Sequence, residues 1–330
     1  MIWRTLVSCL VSLLVTAGTG LILIPALRRM KAGQSIREDG PVWHMSKQGT
    51  PTMGGIMFIV GIAVALLTVG FKGFAEGVHE HLFVFLFALI YAAIGFLDDY
   101  EKLKKKQNLG LTAKQKFLLQ LVVAVAFILL LRLKGILTPN LYIPFFNTYL
   151  KLPEIVYFIF AAFVIVGCVN AVNLTDGVDG LVSGVTLPVA VCYAAVAYIW
   201  GRTYLGVFAG ALAGGLIGFL IFNFHPAKVF MGDTGSLFLG GAVCAMAFSM
   251  DMPLILIPLG IVYIAETLSD IIQVLYFKAT HGKRFFKMAP LHHHFEMCGW
   301  SEYKLFVVFT AVSAVFAIIS FFAVSGRYPG

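Results

Sequence analysis

Ten long apolar segments alternate with short polar stretches along the chain. A membrane-spanning helix needs about 20 mostly apolar residues, so each segment is close to the length of one span. The third and eighth segments are the shortest, and Pro253 and Pro258 predict a kink in the ninth. The pattern predicts an all-α polytopic membrane protein with about ten transmembrane helices, at 5–27, 53–71, 82–97, 116–133, 153–172, 181–200, 204–223, 235–250, 252–277 and 305–325.

Composition excludes the soluble classes of protein. Charged residues make up 12% of the chain, hydrophobic residues 60%, and the mean hydropathy is +0.91. A soluble domain carries roughly 25% charged residues, so a soluble globule, a disordered chain and a fibrous chain are all ruled out. We expect one integral membrane catalytic domain over residues 1–330. The five cysteines form no C-x-x-C pair and indicate core positions, not disulfides or a zinc site.

Basic residues predict the orientation. With the N-terminus outside, 17 of the 24 Lys and Arg lie on the inner side and 7 outside, so the positive-inside rule places both termini outside. The same rule explains the net charge of +8 without nucleic acid as a partner. The run from Leu6 to Leu27 exceeds a signal-peptide core and ends in Arg28 and Arg29, which indicates a retained first span. Polar and apolar residues alternate at 136–152, outside, and predict a small hairpin on the membrane.

The predicted inner side also collects acidic residues. Asp98 and Asp99 are adjacent after the third segment and are followed by Lys102 and further lysines up to Lys106. Adjacent carboxylates repel each other unless cations hold them. A magnesium-phosphate site provides such cations, because Mg²⁺ prefers a few carboxylates together with substrate phosphates. The alternative is a solvated helix end whose lysines only set the topology.

Two further inner loops are rich in carboxylates, amides and glycine. Asn170–Gly180 contains two asparagines and two aspartates without Lys or Arg, which suits a nucleobase or sugar edge; a plain turn is the alternative. In Phe230–Ser236, glycines flank Asp233 and the next apolar segment begins, so backbone N–H groups can bind phosphate and Asp233 can bind a metal. This second motif lacks the G-K-[ST] of a Walker P-loop.

Two basic loops complete the inner side. Pro290–Glu296 carries three consecutive histidines, which cannot all face one side of a helix and can bind either a transition metal or phosphate. His44–Gly55 is a glycine-rich entry to the second segment, where Lys47 can pair with phosphate or be a plain loop cation. Glu266 and Asp270 lie four residues apart on one face of the ninth segment and are expected to support a groove.

These motifs resemble the conserved blocks of the polyprenyl-phosphate N-acetylhexosamine-1-phosphate transferases. The Asp98–Tyr100, Asn173–Gly180 and Phe230–Ser236 blocks resemble the superfamily. Gly49–Gly55 and Pro290–Glu296 are similar to one branch, the bacterial phospho-N-acetylmuramoyl-pentapeptide transferases. The resemblance implies ten spans with both termini outside, a cytoplasmic-side cleft in the inner membrane, a homodimer and a requirement for Mg²⁺. It also implies the reaction: phospho-MurNAc-pentapeptide moves from UDP-MurNAc-pentapeptide to undecaprenyl phosphate, giving lipid I and UMP.

Site roles follow from the same resemblance. It implies Asp233 as the magnesium ligand, with a catalytic role for Asp98, Asp99, Asp233 and His292. It implies that Asp98 contacts the lipid phosphate and that Phe230 stacks on uracil. The positions expected to bind substrate are Lys47, Lys102, Asn170, Asn173, Asp176, Asp179, Phe230, His293 and His294.

Mechanism and function leave alternatives. The lipid phosphate can attack the UDP-sugar directly, or an aspartate can first form a covalent phospho-sugar enzyme. We favour direct attack, because a phosphate monoester with a second pKa near ~6 is already mostly dianionic at neutral pH. The lipid tail requires a groove open to the bilayer, with the bent ninth span as an expected wall. Rival functions are a GlcNAc-1-phosphate transferase of the same superfamily, a nucleotide-sugar or lipid-phosphate transporter, and a non-catalytic scaffold.

Overall fold

The structure is a computed structural model that describes residues 1–30, 47–105, 107 and 109–327. Helices dominate the described part, and a single two-stranded sheet accompanies them. The helices are α1 (Ile2–Arg29), α2 (Gly55–Thr68), α3 (Lys72–Ala75), α4 (Glu80–Lys105), α5 (Ala113–Leu133), α6 (Glu154–Thr175), α7 (Leu181–Ile199), α8 (Thr203–Asn223), α9 (Gly232–Ser249), α10 (Leu256–Leu259), α11 (Ile261–Ala279), α12 (Leu291–Glu296) and α13 (Glu302–Ser325).

Each of the ten predicted apolar segments coincides with helix. Among the described residues, seven helices are long and apolar enough to cross a membrane: α1, α4, α5, α6, α7, α8 and α13. The ninth segment is bent, as its prolines predict: Pro253–Leu259 and α11 meet at an angle of 79°, and together they can form an eighth span. The other two segments form α2, which has only 14 residues, and α9, which has 18. The structure thus supports a polytopic all-α protein, whereas the count of ten and the orientation remain predictions.

The third span is longer than its apolar pattern predicts. The segment 82–97 becomes α4, which continues to Lys105. Asp98 and Asp99 therefore lie within the helix, both buried, and not in a loop after it. Lys102 lies one turn further on and its ammonium binds Asp98 Oδ2 at 2.6 Å. Charged residues end the apolar segment in the sequence. Here their charges are paired within the protein, so the helix continues beyond the apolar segment.

Small residues allow the helices of the core to pack closely. Along α8, glycines recur every fourth residue at Gly206, Gly210, Gly214 and Gly218, on the face that meets α1. A Cβ added at Gly214 would collide with the backbone of Cys9. The facing side of α1 is also small and polar, and Ser8 Oγ donates to the carbonyl of Val207 at 2.8 Å. Close approach of this kind stabilises helix pairs in lipid, where apolar surface alone gives no drive to associate.

The predicted hairpin is present. Strands β1 (Asn140–Ile143) and β2 (Thr148–Lys151) pair antiparallel, with Asn140 opposite Lys151. Arg327, after α13, stacks over the ring of Tyr142 at 4.7 Å and donates to the carbonyl of Asp251 at 2.6 Å. The hairpin thus lies beside the C-terminal ends of α9 and α13, at the end of the bundle that the charge pattern places outside.

Candidate active site

Four helix ends meet at the opposite end of the bundle. Asp98 and Asp99 come from the end of α4, Asn173 from the end of α6, and Asp233 from the first turn of α9. Lys116 comes from the first turn of α5. The structure therefore brings together three of the motifs that the sequence places on the inner side.

The carboxylate of Asp99 binds the N-terminus of α9. Its Oδ1 accepts from the backbone N–H of Asp233 at 3.1 Å, and its Oδ2 accepts from the backbone N–H and the hydroxyl of Thr234 at 2.9 and 2.7 Å. Gly232 has φ +72°, and a Cβ there would lie 2.6 Å from Asp99 Oδ2, so only glycine fits. The sequence predicts a phosphate at this helix N-terminus; these two N–H groups bind a protein carboxylate instead, because α4 extends far enough to supply it.

Asp233 is surrounded by hydrogen-bond donors. Lys102 and Lys116 approach its Oδ2 at 3.0 and 2.9 Å, and the amide of Asn173 donates to its Oδ1 at 2.9 Å. Lys102 also binds Asp98, which accepts a further hydrogen bond from the backbone N–H of Leu111 at 2.8 Å. One ammonium group thus joins two of the predicted catalytic carboxylates, and a second is placed beside Asp233.

Asp176 is a further carboxyl group beside this cluster. It follows the last residue of α6. Burial first, and then the nearby carboxylates of Asp233, Asp99 and Asp179, raise the pKa of Asp176 well above its usual range. Burial and the neighbouring carboxylates therefore favour the neutral form of the Asp176 carboxyl group.

A second cluster holds two other predicted substrate residues. Lys47 Nζ lies 2.7 Å from Asp179 and 2.6 Å from Glu302 at the start of α13. Asp179 also accepts from the backbone N–H of Ala227 at 3.0 Å, and His225 Nδ1 lies 3.0 Å from it. This cluster lines a cavity of about 570 Å³. Ligand atoms of Asp179, His225 and Glu302 all lie within 4.8 Å of one another, and the Lys47 ammonium already pairs with both carboxylates.

The three histidines diverge, as their spacing predicts. They lie on the short helix α12. His292 is buried, and its Nδ1 lies 3.0 Å from Glu266. His293 Nδ1 lies 2.6 Å from Glu296, while His294 Nδ1 accepts from the backbone N–H of Lys287 at 3.1 Å.

The Gly49–Gly55 and Phe230–Ser236 motifs are joined by backbone hydrogen bonds. The N–H of Phe230 donates to the carbonyl of Pro51, and the N–H of Gly54 donates to the carbonyl of Phe230, both at 2.8 Å. Phe230 is half-buried and lies three residues before Asp233. His44–Ser46 and Lys106 lie outside the described residues.

An apolar cavity of about 610 Å³ lies between α5 and α6. Its lining is almost wholly aliphatic and aromatic, for example Leu121 and Phe163, and it ends at Asn170. Asn170 exchanges hydrogen bonds with Gln120, one turn from Lys116 and Asn173. A groove beside the acidic site is predicted; this one has α5 and α6 as its walls, while the bent α11 contributes none of its lining residues.

Sequence reasoning missed several residues of the site. From the sequence, Lys116 serves only to predict the orientation, and no role is predicted for Ser236. In the structure, the Ser236 hydroxyl accepts from the Asn173 amide at 2.7 Å. His225 and Glu302 were not singled out either. The only signal for Lys116 is that it lies inside the first turn of an apolar helix and not in the loop before it.

Comparisons with known proteins identify the family of the chain. The sequence model described as glycosyl transferase family 4 matches residues 81–251, and phospho-N-acetylmuramoyl-pentapeptide-transferase signature 1 matches residues 47–59. A phospho-N-acetylmuramoyl-pentapeptide-transferase of Clostridium acetobutylicum is 46% identical over 316 residues, 95% of this chain and 97% of its own. Proteins of the same name from Clostridium botulinum and Bacillus mycoides are 48% and 45% identical, covering 92% and 94% of this chain and 91% and 97% of their own.

The chain belongs to the phospho-N-acetylmuramoyl-pentapeptide transferases. The matched length and identity confirm the resemblance that the motifs indicate, and they favour it over the transporter and scaffold alternatives. Together with the apolar helices, membership makes the chain a multi-pass membrane transferase of peptidoglycan synthesis.

Proposed function

We propose that the chain transfers phospho-MurNAc-pentapeptide from UDP-MurNAc-pentapeptide to undecaprenyl phosphate, giving undecaprenyl-pyrophosphoryl-MurNAc-pentapeptide (lipid I) and UMP. The observation that carries this proposal is the position of the acidic site at the polar end of an apolar cavity. Lys116 and Asn173, which bind Asp233, lie one turn from Gln120 and Asn170. Asn170 lines that cavity. A lipid phosphate and a nucleotide-sugar can meet at such a boundary.

The residues around Asp233 suit phosphoryl transfer by direct attack. An oxygen of the lipid phosphate attacks the phosphorus that carries the sugar, and the P–O bond to UMP breaks as UMP leaves with its electron pair. Catalysis of this kind is mostly positioning and neutralisation of charge. Lys102 and Lys116 can turn from Asp233 towards substrate phosphates, and Asp98 is placed to orient the attacking phosphate or to accept a residual proton. A covalent phospho-sugar adduct trapped on Asp98, Asp99 or Asp233 would contradict direct attack.

Mg²⁺ fits the residues of this site. Asp98 and Asp233 carry hard oxygen ligands of the kind that Mg²⁺ prefers, and one or two carboxylates with substrate phosphates suffice. The Lys102 ammonium lies between the carboxylates of Asp98 and Asp233 at 2.6 and 3.0 Å, and this pair of carboxylates around one cation is the structural support for a metal ion here. We propose Asp233 as its protein ligand. When bound, Mg²⁺ would neutralise the diphosphate of the donor and the departing UMP.

The nucleotide side of the site is proposed to include Asn173, Asp176 and the ring of Phe230. Lys47 and Asp179 line the neighbouring 570 Å³ cavity. His292 and His293, on α12, are proposed to hold phosphate or another part of the substrate. The lipid tail would occupy the cavity between α5 and α6. The charge distribution supports a site facing the cytoplasm from the bacterial inner membrane, and the family resemblance supports a homodimer.

UMP release by purified protein in detergent tests the function. The reaction contains UDP-MurNAc-pentapeptide, undecaprenyl phosphate and Mg²⁺, with UDP-GlcNAc and the variant Asp233→Ala as controls. We expect release that requires the lipid, the metal and Asp233, and none with UDP-GlcNAc. Release with UDP-GlcNAc but not with UDP-MurNAc-pentapeptide would show that the donor substrate is UDP-GlcNAc instead. No release with either donor from folded protein would refute the proposal.

A further inference from the structure

Glu266 and His292 form a buried polar pair near, but not within, the cluster around Asp233. Glu266 lies in α11, just after the 79° bend, and is fully buried. Its Oε2 lies 3.0 Å from Nδ1 of His292 and accepts from the backbone N–H of the same residue at 3.4 Å. One carboxylate oxygen thus binds both the ring of His292 and the free backbone donor in the first turn of α12.

The other side of the His292 ring is fixed by a glycine. A Cβ added at Gly177 would collide with Nε2 of His292, so the ring lies flush against the backbone of the Asn173–Gly180 segment. That Nε2 is buried and has no hydrogen-bond partner among the described residues, and Oε1 of Glu266 is likewise unpartnered. Buried polar atoms without partners are rare in folded proteins and call for an explanation.

We propose that Glu266 is a positioning residue for His292, and that Glu266 and Gly177 together hold α12 against the Asn173–Gly180 segment. Both segments carry residues assigned above to the nucleotide-sugar, so this inference rests on the proposed function and deepens it. A carboxylate that binds a histidine ring sets which nitrogen carries the proton and which way the ring faces. Nε2 of His292, which has no hydrogen-bond partner among the described residues, is the atom that packs against Gly177. This close approach joins α12 and the Asn173–Gly180 segment into a single wall.

The proposal predicts a specific kinetic pattern. Loss of the wall should raise KM for UDP-MurNAc-pentapeptide and leave KM for undecaprenyl phosphate unchanged, because neither segment contributes a lining residue to the apolar cavity. Glu266→Ala should raise the first KM about tenfold, the size expected when one partner of a buried hydrogen bond is removed. Glu266→Gln should remain within about threefold of wild type, since its amide oxygen can still accept from Nδ1.

Amide hydrogen exchange supplies a readout that needs no substrate. In Glu266→Ala and in Gly177→Ala, the peptides covering 173–180 and 291–296 should exchange about tenfold faster than in wild type, because the contact that ties them together is lost. Asp270→Asn, one turn further along α11, and Gly18→Ala, where a Cβ meets nothing within 4 Å, are matched controls and should exchange as wild type does.

Three results would overturn the proposal. They are unchanged exchange of both segments in Glu266→Ala, equal rises of both KM values, and failure of Glu266→Gln to restore what Glu266→Ala loses. Absence of UMP release in wild type would refute the proposed function instead, and the exchange experiment would still decide whether Glu266 holds the two segments together.

Discussion

Asp99→Asn tests whether the Asp99 carboxylate holds α9 in place. Its two oxygens accept three hydrogen bonds from Asp233 and Thr234. Asparagine has one side-chain oxygen, which can still serve Thr234, so the backbone N–H of Asp233 faces an amide NH₂ and loses its acceptor. An unsatisfied buried donor costs about 1–3 kcal/mol. At roughly 2 °C per kcal/mol for a long chain, the melting temperature should fall by about 2–6 °C.

The assay is thermal unfolding of the purified protein in detergent, with UMP release measured on the same samples. We expect Asp99→Asn to retain some UMP release at low temperature, because Lys102, Lys116 and Asn173 still reach Asp233. Glu101→Gln is the matched control, since Glu101 lies two residues further along α4 and forms a partly exposed ion pair with Lys105. A variant Asp99→Asn that melts with wild type but releases no UMP would refute the structural role and make Asp99 a reacting group.

Three further predictions concern the site and the bundle. Lys116→Met should lower kcat for UMP release about a hundredfold by removing a charge at the transferred phosphate; Lys114→Met, at the exposed start of α5, is the control and a similar loss there would contradict it. Leu121→Trp should raise KM for undecaprenyl phosphate alone, whereas Leu129→Trp, outside the cavity, should not; equal effects would disprove the lipid cavity. Gly214→Val should destabilise the α1–α8 pair by about 1–3 kcal/mol in thermal unfolding, and an unchanged melting temperature would contradict that packing.

The sequence predicts most helices because their signal is local. Runs of apolar residues set the positions of the helices, and turn residues mark the β1–β2 hairpin. Helix ends were predicted less well where charges continue the helix. Asp98 and Lys102 end the apolar segment in the sequence. They pair with each other, and Lys102 also pairs with Asp233 of α9, so α4 extends to Lys105.

The site was predicted as a set of motifs but not as a set of contacts. The motifs identify Asp98, Asp99 and Asp233, and the i,i+4 spacing allows Asp98 to pair with Lys102. Nothing local shows that Asp99 binds the N-terminus of α9. The partners of His292 and Lys47 come from α11 and α13, far along the chain. Such pairs depend on which faces of distant helices approach each other, and a single sequence carries no direct signal for that.

The burial of α9 has a consequence for how the protein is made. Every residue from Thr234 to Ser249 is buried against other helices, and the first five residues of α9 include Asp233 and two glycines. Such a segment gains little stability from contact with lipid, and it is poorly suited to move by itself from the translocon into the membrane. It packs mainly on α4 and α6, which are synthesised earlier. Insertion of α9, and with it delivery of Asp233 to the membrane surface, therefore depends on helices that have already been assembled.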